Sequence, residues 1–201
     1  INLVTVDTAA APDDAFSGET RISVGGFGDV RLGAVARLAP VELSLDGVLA
    51  RNRYTYRRNG DVAVRDNAGG REGRAAVSYG ERRGGTEFGV DASLAASRRG
   101  LPGSIEFPSD SAELTDTRGA LRGYVERGAE GSARFTAHAG YRRSERSYRD
   151  DDHPLGATAE DSLLDAVDGR AGAEIPVGPT TTGVTLETAL ERLDASDLGR
   201  R

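Results

Sequence analysis

What most constrains this chain is a set of segments, each about ten residues long, in which small apolar side chains alternate with charged residues or glycine. Between Asp29 and Leu38, one parity holds Val30, Leu32, Ala34, Ala36 and Leu38, and the other holds Asp29, Arg31, Gly33, Val35 and Arg37. Val41, Leu43, Leu45, Gly47 and Leu49 repeat the pattern, as do Phe88, Val90, Ala92, Leu94 and Ala96. Ala133, Phe135, Ala137, Ala139 and Tyr141 make a fourth run, and Val184, Leu186, Thr188 and Leu190 a fifth. Successive strand side chains point to opposite faces, so each run describes a strand with one apolar and one polar surface. A soluble sandwich and a membrane barrel both satisfy that rule.

The connections separate the two. The pattern predicts nine strands, over about 17–26, 29–38, 41–54, 73–82, 85–97, 117–127, 132–146, 167–176 and 182–192. After a first hairpin at Gly26 to Gly28, tight turns are expected at Ala39-Pro40, Arg82 to Gly85, Gly128 to Gly131 and Val177 to Thr181. Long polar connections are expected between them, at about 55–72, 98–116 and 147–166. Short turns on one rim and long loops on the other are the habit of outer-membrane barrels, whereas a soluble meander has no reason to keep it. The fold expected is all-β: an antiparallel up-and-down meander of about nine strands, part of a large transmembrane β-barrel. Aromatic positions agree. Tyr54, Tyr56, Tyr141 and Tyr148 fall toward the long-loop ends and Tyr79, Phe88, Tyr124 and Phe135 toward the short-turn ends, as two interfacial girdles would.

Composition narrows the function classes. The 201 residues include no cysteine, which removes disulfides and thiolate metal sites. All 26 basic residues are arginine, glutamine and tryptophan are absent, and a net charge of -6 is spread among interspersed acids and bases. A nucleic-acid binder would gather its positive charge on one face, so no nucleic-acid partner is expected. No apolar run approaches the twenty residues of a spanning helix, which leaves barrel strands untouched. A chain that begins at Ile1 and contains no methionine reads as an excised piece of a longer product.

Ile1-Asn2-Leu3-Val4-Thr5-Val6 resembles the end of the plug domain of TonB-dependent outer-membrane receptors, a segment of the type INIVT. Residues Asp7 to Ala15 would then be the linker, and Gly18 to Gly28 resembles that family's first barrel strand and glycine-rich hairpin. Arg98-Arg99-Gly100-Leu101-Pro102-Gly103 is similar to the RGxPG that often opens a long extracellular loop there. The resemblance implies residues 1–15 as plug end and linker, and residues 16–201 as the N-terminal part of the barrel. It implies a receptor in the cell outer membrane of a Gram-negative bacterium. Such a receptor takes up a scarce nutrient, a ferric siderophore, haem, cobalamin or a glycan, with energy relayed by the TonB complex through an N-terminal region missing here. Signal peptide, TonB-contacting box, most of the plug and a closing C-terminal aromatic strand are missing from the pattern. About 22 strands make such a barrel, so nine are its first part.

Catalysis finds no support in the residues, and no enzyme activity is expected. Ser93 and Ser97 have no histidine in an evident triad, and Gly25-Gly26-Phe27-Gly28 lacks the lysine and following helix of a phosphate loop. His153 beside Asp150, Asp151 and Asp152 resembles a metal cluster, but three or four organised ligands are needed for zinc. Calcium suits loop aspartates better, although none follows the spacing of a calcium loop. Neither a metal nor a cofactor is assigned. On the polar parity, Arg31, Arg37, Glu42, Asp46, Glu87, Asp91, Arg134, Glu187 and Glu191 should line a wet lumen and pair there. The arginine pairs at the loop bases suit an anionic ligand or lipopolysaccharide phosphates. The ligand-binding candidates are therefore Tyr54, Arg57, Arg58, Arg99 and Arg143. The alternative from another class is a small outer-membrane barrel or a secreted adhesin-like β protein with a structural or binding role.

Overall fold

The computed structural model describes residues 2–6, 16–58, 60–103, 108–128, 132–178 and 180–197. The period of two is realised as strands: β1 (Asn2–Val6), β2 (Phe16–Val24), β3 (Val30–Leu38), β4 (Val41–Ala50), β5 (Tyr54–Arg58), β6 (Asp61–Arg65), β7 (Gly70–Arg83), β8 (Thr86–Gly100), β9 (Glu113–Arg127), β10 (Arg134–Asp150), β11 (Thr158–Val177) and β12 (Thr180–Asp197). The one helical turn among the described residues is a 3-10 turn at Gly26–Gly28. Strands β2, β3, β4 and β7 to β12 form a nine-stranded antiparallel meander in chain order, matching the nine expected strands. β1 adds to its edge along β2, from Asn2 opposite Val24 to Val6 opposite Thr20. β1 and β12 are the two edges, and the sheet is open. The expected linker, residues 7–15, lies outside the described residues.

The connections alternate as expected, with corrections in length. On one side are Ala39-Pro40, Gly84-Gly85 and the connections after β9 and β11; Gly84 and Gly85 take φ of 53° and 77°, a region that glycine enters without strain. On the other side lie 25–29, 51–69, 101–112 and 151–157. The first long connection is not structureless, because β5 and β6 pair within it as a hairpin. The third is only the seven residues 151–157, since β10 and β11 stay paired out to Asp150 opposite Thr158. Their outer halves carry polar residues on both parities, so apolar alternation stops while backbone pairing continues.

Register joins the apolar parities into one continuous surface. Ile22 lies opposite Leu32, Ala34 opposite Leu45, Leu43 opposite Val77, and Ala75 opposite Leu94. Ala92 then faces Leu121, Leu121 faces Tyr141, Tyr141 faces Val167, and Val167 faces Leu190. This band does not run square to the strands. The row of paired residues through Leu49, where the band ends on β4, reaches β12 at Ser196, whereas the band ends there at Leu190. That is six residues over six strand steps; at about 3.4 Å per residue and 4.8 Å per strand, the slope is roughly 35°. The lower edge slopes alike. Phe135 lies four residues beyond the row that joins Tyr79 to Ala139 over three steps, which gives about 43°.

Among the described residues nothing covers this band. The accessible surface is 14721 Å², against about 9000 Å² for a compact soluble monomer of this mass. The buried apolar side chains among the described residues are Ala112, Leu114 and Ala166, and no large side chain is fully enclosed. The described main sheet is a single layer, apolar on one face and polar on the other.

Candidate functional site

The polar face carries the charged residues expected there, and several pair across strands. Arg37 meets Glu42, Arg82 meets Glu87, and Arg134 makes two hydrogen bonds of 3.0 and 2.9 Å to Glu126. Arg170 lies 3.2 Å from Glu187, and Arg142 reaches over β11 to Glu191. These side chains remain exposed to solvent, which screens each pair, so the pairs orient the polar face more than they stabilise it. Nearer the short turns, the Tyr124 ring lies over Gly89 and stacks on His138 at 6.2 Å. Tyr124 therefore belongs to the polar face, and so does Tyr148, which pairs with Leu114 and Glu160. Their even numbers on β9 and β10 set them opposite in parity to Val125 and Tyr141. The apolar face retains Tyr79, Phe88 and Phe135 at its short-turn margin and Tyr141 at the other.

At the long-connection end, the loops are tied together rather than free. Asn67 takes the left-handed conformation at φ 56°, and its amide nitrogen donates to the Ala112 carbonyl at 2.8 Å and the Ser109 carbonyl at 3.3 Å. Arg65, at the end of β6, donates to the Gly103 carbonyl. The connection 51–69 is thereby fastened to the connection 101–112. On the far side, Ser109 donates to Asp150 Oδ1 at 2.8 Å and Ser111 to the same oxygen at 3.2 Å. The backbone N–H groups of Asp151 and Asp152 donate to Ser111 Oγ at 3.1 and 3.0 Å. Three of the four long-side connections form one hydrogen-bonded layer.

Asp150 is its anchor and is 3% exposed. It lies at the end of β10, nine residues beyond Tyr141 and outside the apolar band. Burial pushes its carboxyl up, but hydrogen bonds from Ser109, the Asp152 N–H, Ser111 and Tyr148 outweigh burial and hold it below the ordinary carboxylate value. Burial and the neighbouring Asp150 charge push the Tyr148 phenol up. These donors occupy the places a cation would take. Among the described residues no group of three or more acids and histidines is arranged to hold a metal. The Asp150 to Asp152 run is a loop anchor, and His153 accepts the Leu155 N–H at 3.2 Å in the turn beyond it.

Below the loop layer, the polar face opens into a hollow of about 330 Å³. Small residues, Ala50, Gly70, Ala95 and Ser97, floor it, and Glu72, Arg99, Asp116, Arg118 and Arg146 rim it. Asp116 is 8% exposed and accepts from Arg146 at 2.8 Å, with Arg118 3.9 Å away. Of the five ligand candidates, Arg99 alone lines this hollow. Arg143 lies on the opposite face, 2.8 Å from Glu145 and 4.0 Å from Asp165. Tyr54 and Arg57 belong to the β5–β6 hairpin, and the side chain of Arg58 lies outside the described residues. Glu72, Asp116, Arg118 and Arg146 were not among the candidates. Their signal was parity: each shares the polar face with Arg99 and stands within a few residues of a long connection. Neither a scan against protein-family models nor a search of curated proteins gives a match to this chain.

Proposed function

We propose that the protein is an outer-membrane transport receptor of the TonB-dependent type, with this chain forming the first strands of its barrel. The carrying observation is the uncovered apolar band, sloped about 35–43° across the strands. Barrel strands tilt 35–45° from the membrane normal, so a band level with the membrane crosses them at that slope. Its extent fits too: Val41 to Leu49 is eight steps, about 27 Å along the strand and roughly 21 Å along the normal, close to the 25 Å of such bands. The polar face then lines a lumen, and the tied long connections stand on the extracellular side. The ligand would be a ferric siderophore, haem, cobalamin or a glycan, and outer-membrane lipid and lipopolysaccharide would surround the barrel.

One observation favours the alternative of a small outer-membrane barrel. β1 pairs with β2 as a strand of the same sheet, which suits a first barrel strand better than the last strand of a plug. Envelope fractionation and uptake separate the readings. A receptor is recovered from the outer membrane only with detergent, and its uptake of labelled ferric chelate, haem, cobalamin or oligosaccharide stops when the TonB complex is deleted. Recovery from the outer membrane without any energised uptake leaves the small barrel. A monomer soluble in buffer without detergent refutes both and leaves the adhesin-like protein.

A further inference from the structure

We infer that the hollow between β4 and β10 is a subsite for a small organic oxyanion, a carboxylate or phosphate, held by Arg99 and by an arginine pair that Asp116 positions. This deepens the transport reading and rests on it for the role of the anion as cargo, but not for its binding. Three features carry it. The floor of Ala50, Gly70, Ala95 and Ser97 leaves room for a solute, and 330 Å³ falls within the range of small-molecule sites. Of the five arginines around the hollow, Arg99, Arg118 and Arg146 share the polar-face parity with the carboxylates Glu72 and Asp116, and Asp116 is already engaged by Arg146 at 2.8 Å with Arg118 at 3.9 Å. Arg99 has no ion-pair partner among the described residues, so its planar fork of donors is available to a carboxylate or phosphate.

Asp116 decides whether this is a site or merely a charged wall. Held against one carboxylate, two guanidinium groups lose freedom before any ligand arrives and keep unshared N–H donors for it. That is preorganisation, which cuts the cost of binding. Glu72 stands opposite Ser97 and would repel an anion with charge on every side. It accepts a hydrogen bond from a solute bearing a hydroxyl or ammonium next to its anionic group. The tied connections above keep the rim in place.

The test is calorimetric titration of the protein, in the detergent that extracts it or in buffer if none is needed, with citrate, inorganic phosphate and neutral glucose. Citrate or phosphate should bind, more weakly as salt is raised, and glucose should not. Arg99→Gln should weaken binding about tenfold or more, the order of one lost charge-assisted hydrogen bond. Asp116→Asn gives the sharper result, since removing a negative charge would tighten anion binding if charge alone mattered. Here it should weaken binding several-fold, because the arginine pair loses its anchor. No binding of either anion, an unchanged Arg99→Gln, or tighter binding by Asp116→Asn would overturn the inference. Outer-membrane recovery without anion binding defeats this subsite alone, and anion binding by a detergent-free soluble monomer defeats the transport reading alone.

Discussion

Replacing Leu45 by arginine sets a charge at the centre of the apolar band. Leu45 is 60% exposed, lies between Ala34 and Ala75, and stands four residues from either end of the run Val41 to Leu49. With the slope of the band, four residues amount to roughly 10 Å, so the new side chain cannot reach either margin without distortion. Arginine at the midplane of a lipid-facing barrel surface costs about 2 to 4 kcal/mol, which is roughly a 30- to 700-fold loss in the folded-to-unfolded ratio. Were the same surface in water, the change would stay within about 0.5 kcal/mol. Ser44→Arg, one residue away on the polar face, is the matched control, with a cost also within about 0.5 kcal/mol. Equilibrium folding from urea into lipid vesicles reads both variants. The chain has no tryptophan, so backbone ellipticity and the gel mobility of the folded species are the signals. Equal costs at 44 and 45 would refute the lipid-facing assignment of this surface.

The loop layer should respond to pH through Asp150. Its folded pKa is depressed, so its contribution is present above the unfolded value of about 4 and is lost as pH falls through the folded value. Protection from hydrogen exchange at the Ala112 and Asp152 amides, taken relative to the intrinsic rate at each pH, should be high at neutral pH and fall only in acid, and Asp150→Ala should lower it at neutral pH. Leaving the buried donors around it unpaired costs about 1 to 3 kcal/mol. Asn67→Ala should expose the connection 101–112 to limited proteolysis more than Asn67→Gly, since both lose the amide but only alanine is strained at φ 56°. Gly89→Ala should lower the urea midpoint, at a cost of about 1 to 3 kcal/mol, because its Cβ would lie 2.6 Å from both the Tyr124 ring and the Tyr79 carbonyl oxygen. Gly26→Ala, with open space around it, should leave that midpoint unchanged.

Much of the fold was legible because the rules behind it are local. Val30 to Leu38 and Val41 to Leu49 declare their strands by the two-residue period of a pleated chain, and Gly84-Gly85 declares its turn by the φ values that glycine permits. The nine strands of the meander and the alternation of short and long connections follow from such signals. What they could not show is where a strand stops once its apolar face ends. Arg143 to Asp150 and Thr158 to Asp165 remain strand because each backbone pairs with the other, and pairing is indifferent to side-chain polarity. Parity, properly counted, would have turned Tyr124 and Tyr148 away from the apolar face. No local rule would have brought Asn67 to Ala112, Ser109 to Asp150, or Arg146 to Asp116, contacts spanning 30 to 45 residues. These contacts and the slope of the band depend on the register of every strand against the next, which only the assembled sheet sets. By itself, the sequence determined two faces on each strand; the tertiary structure decided which residues of neighbouring strands share a row, and therefore where an exposed apolar band and an arginine-rimmed hollow lie.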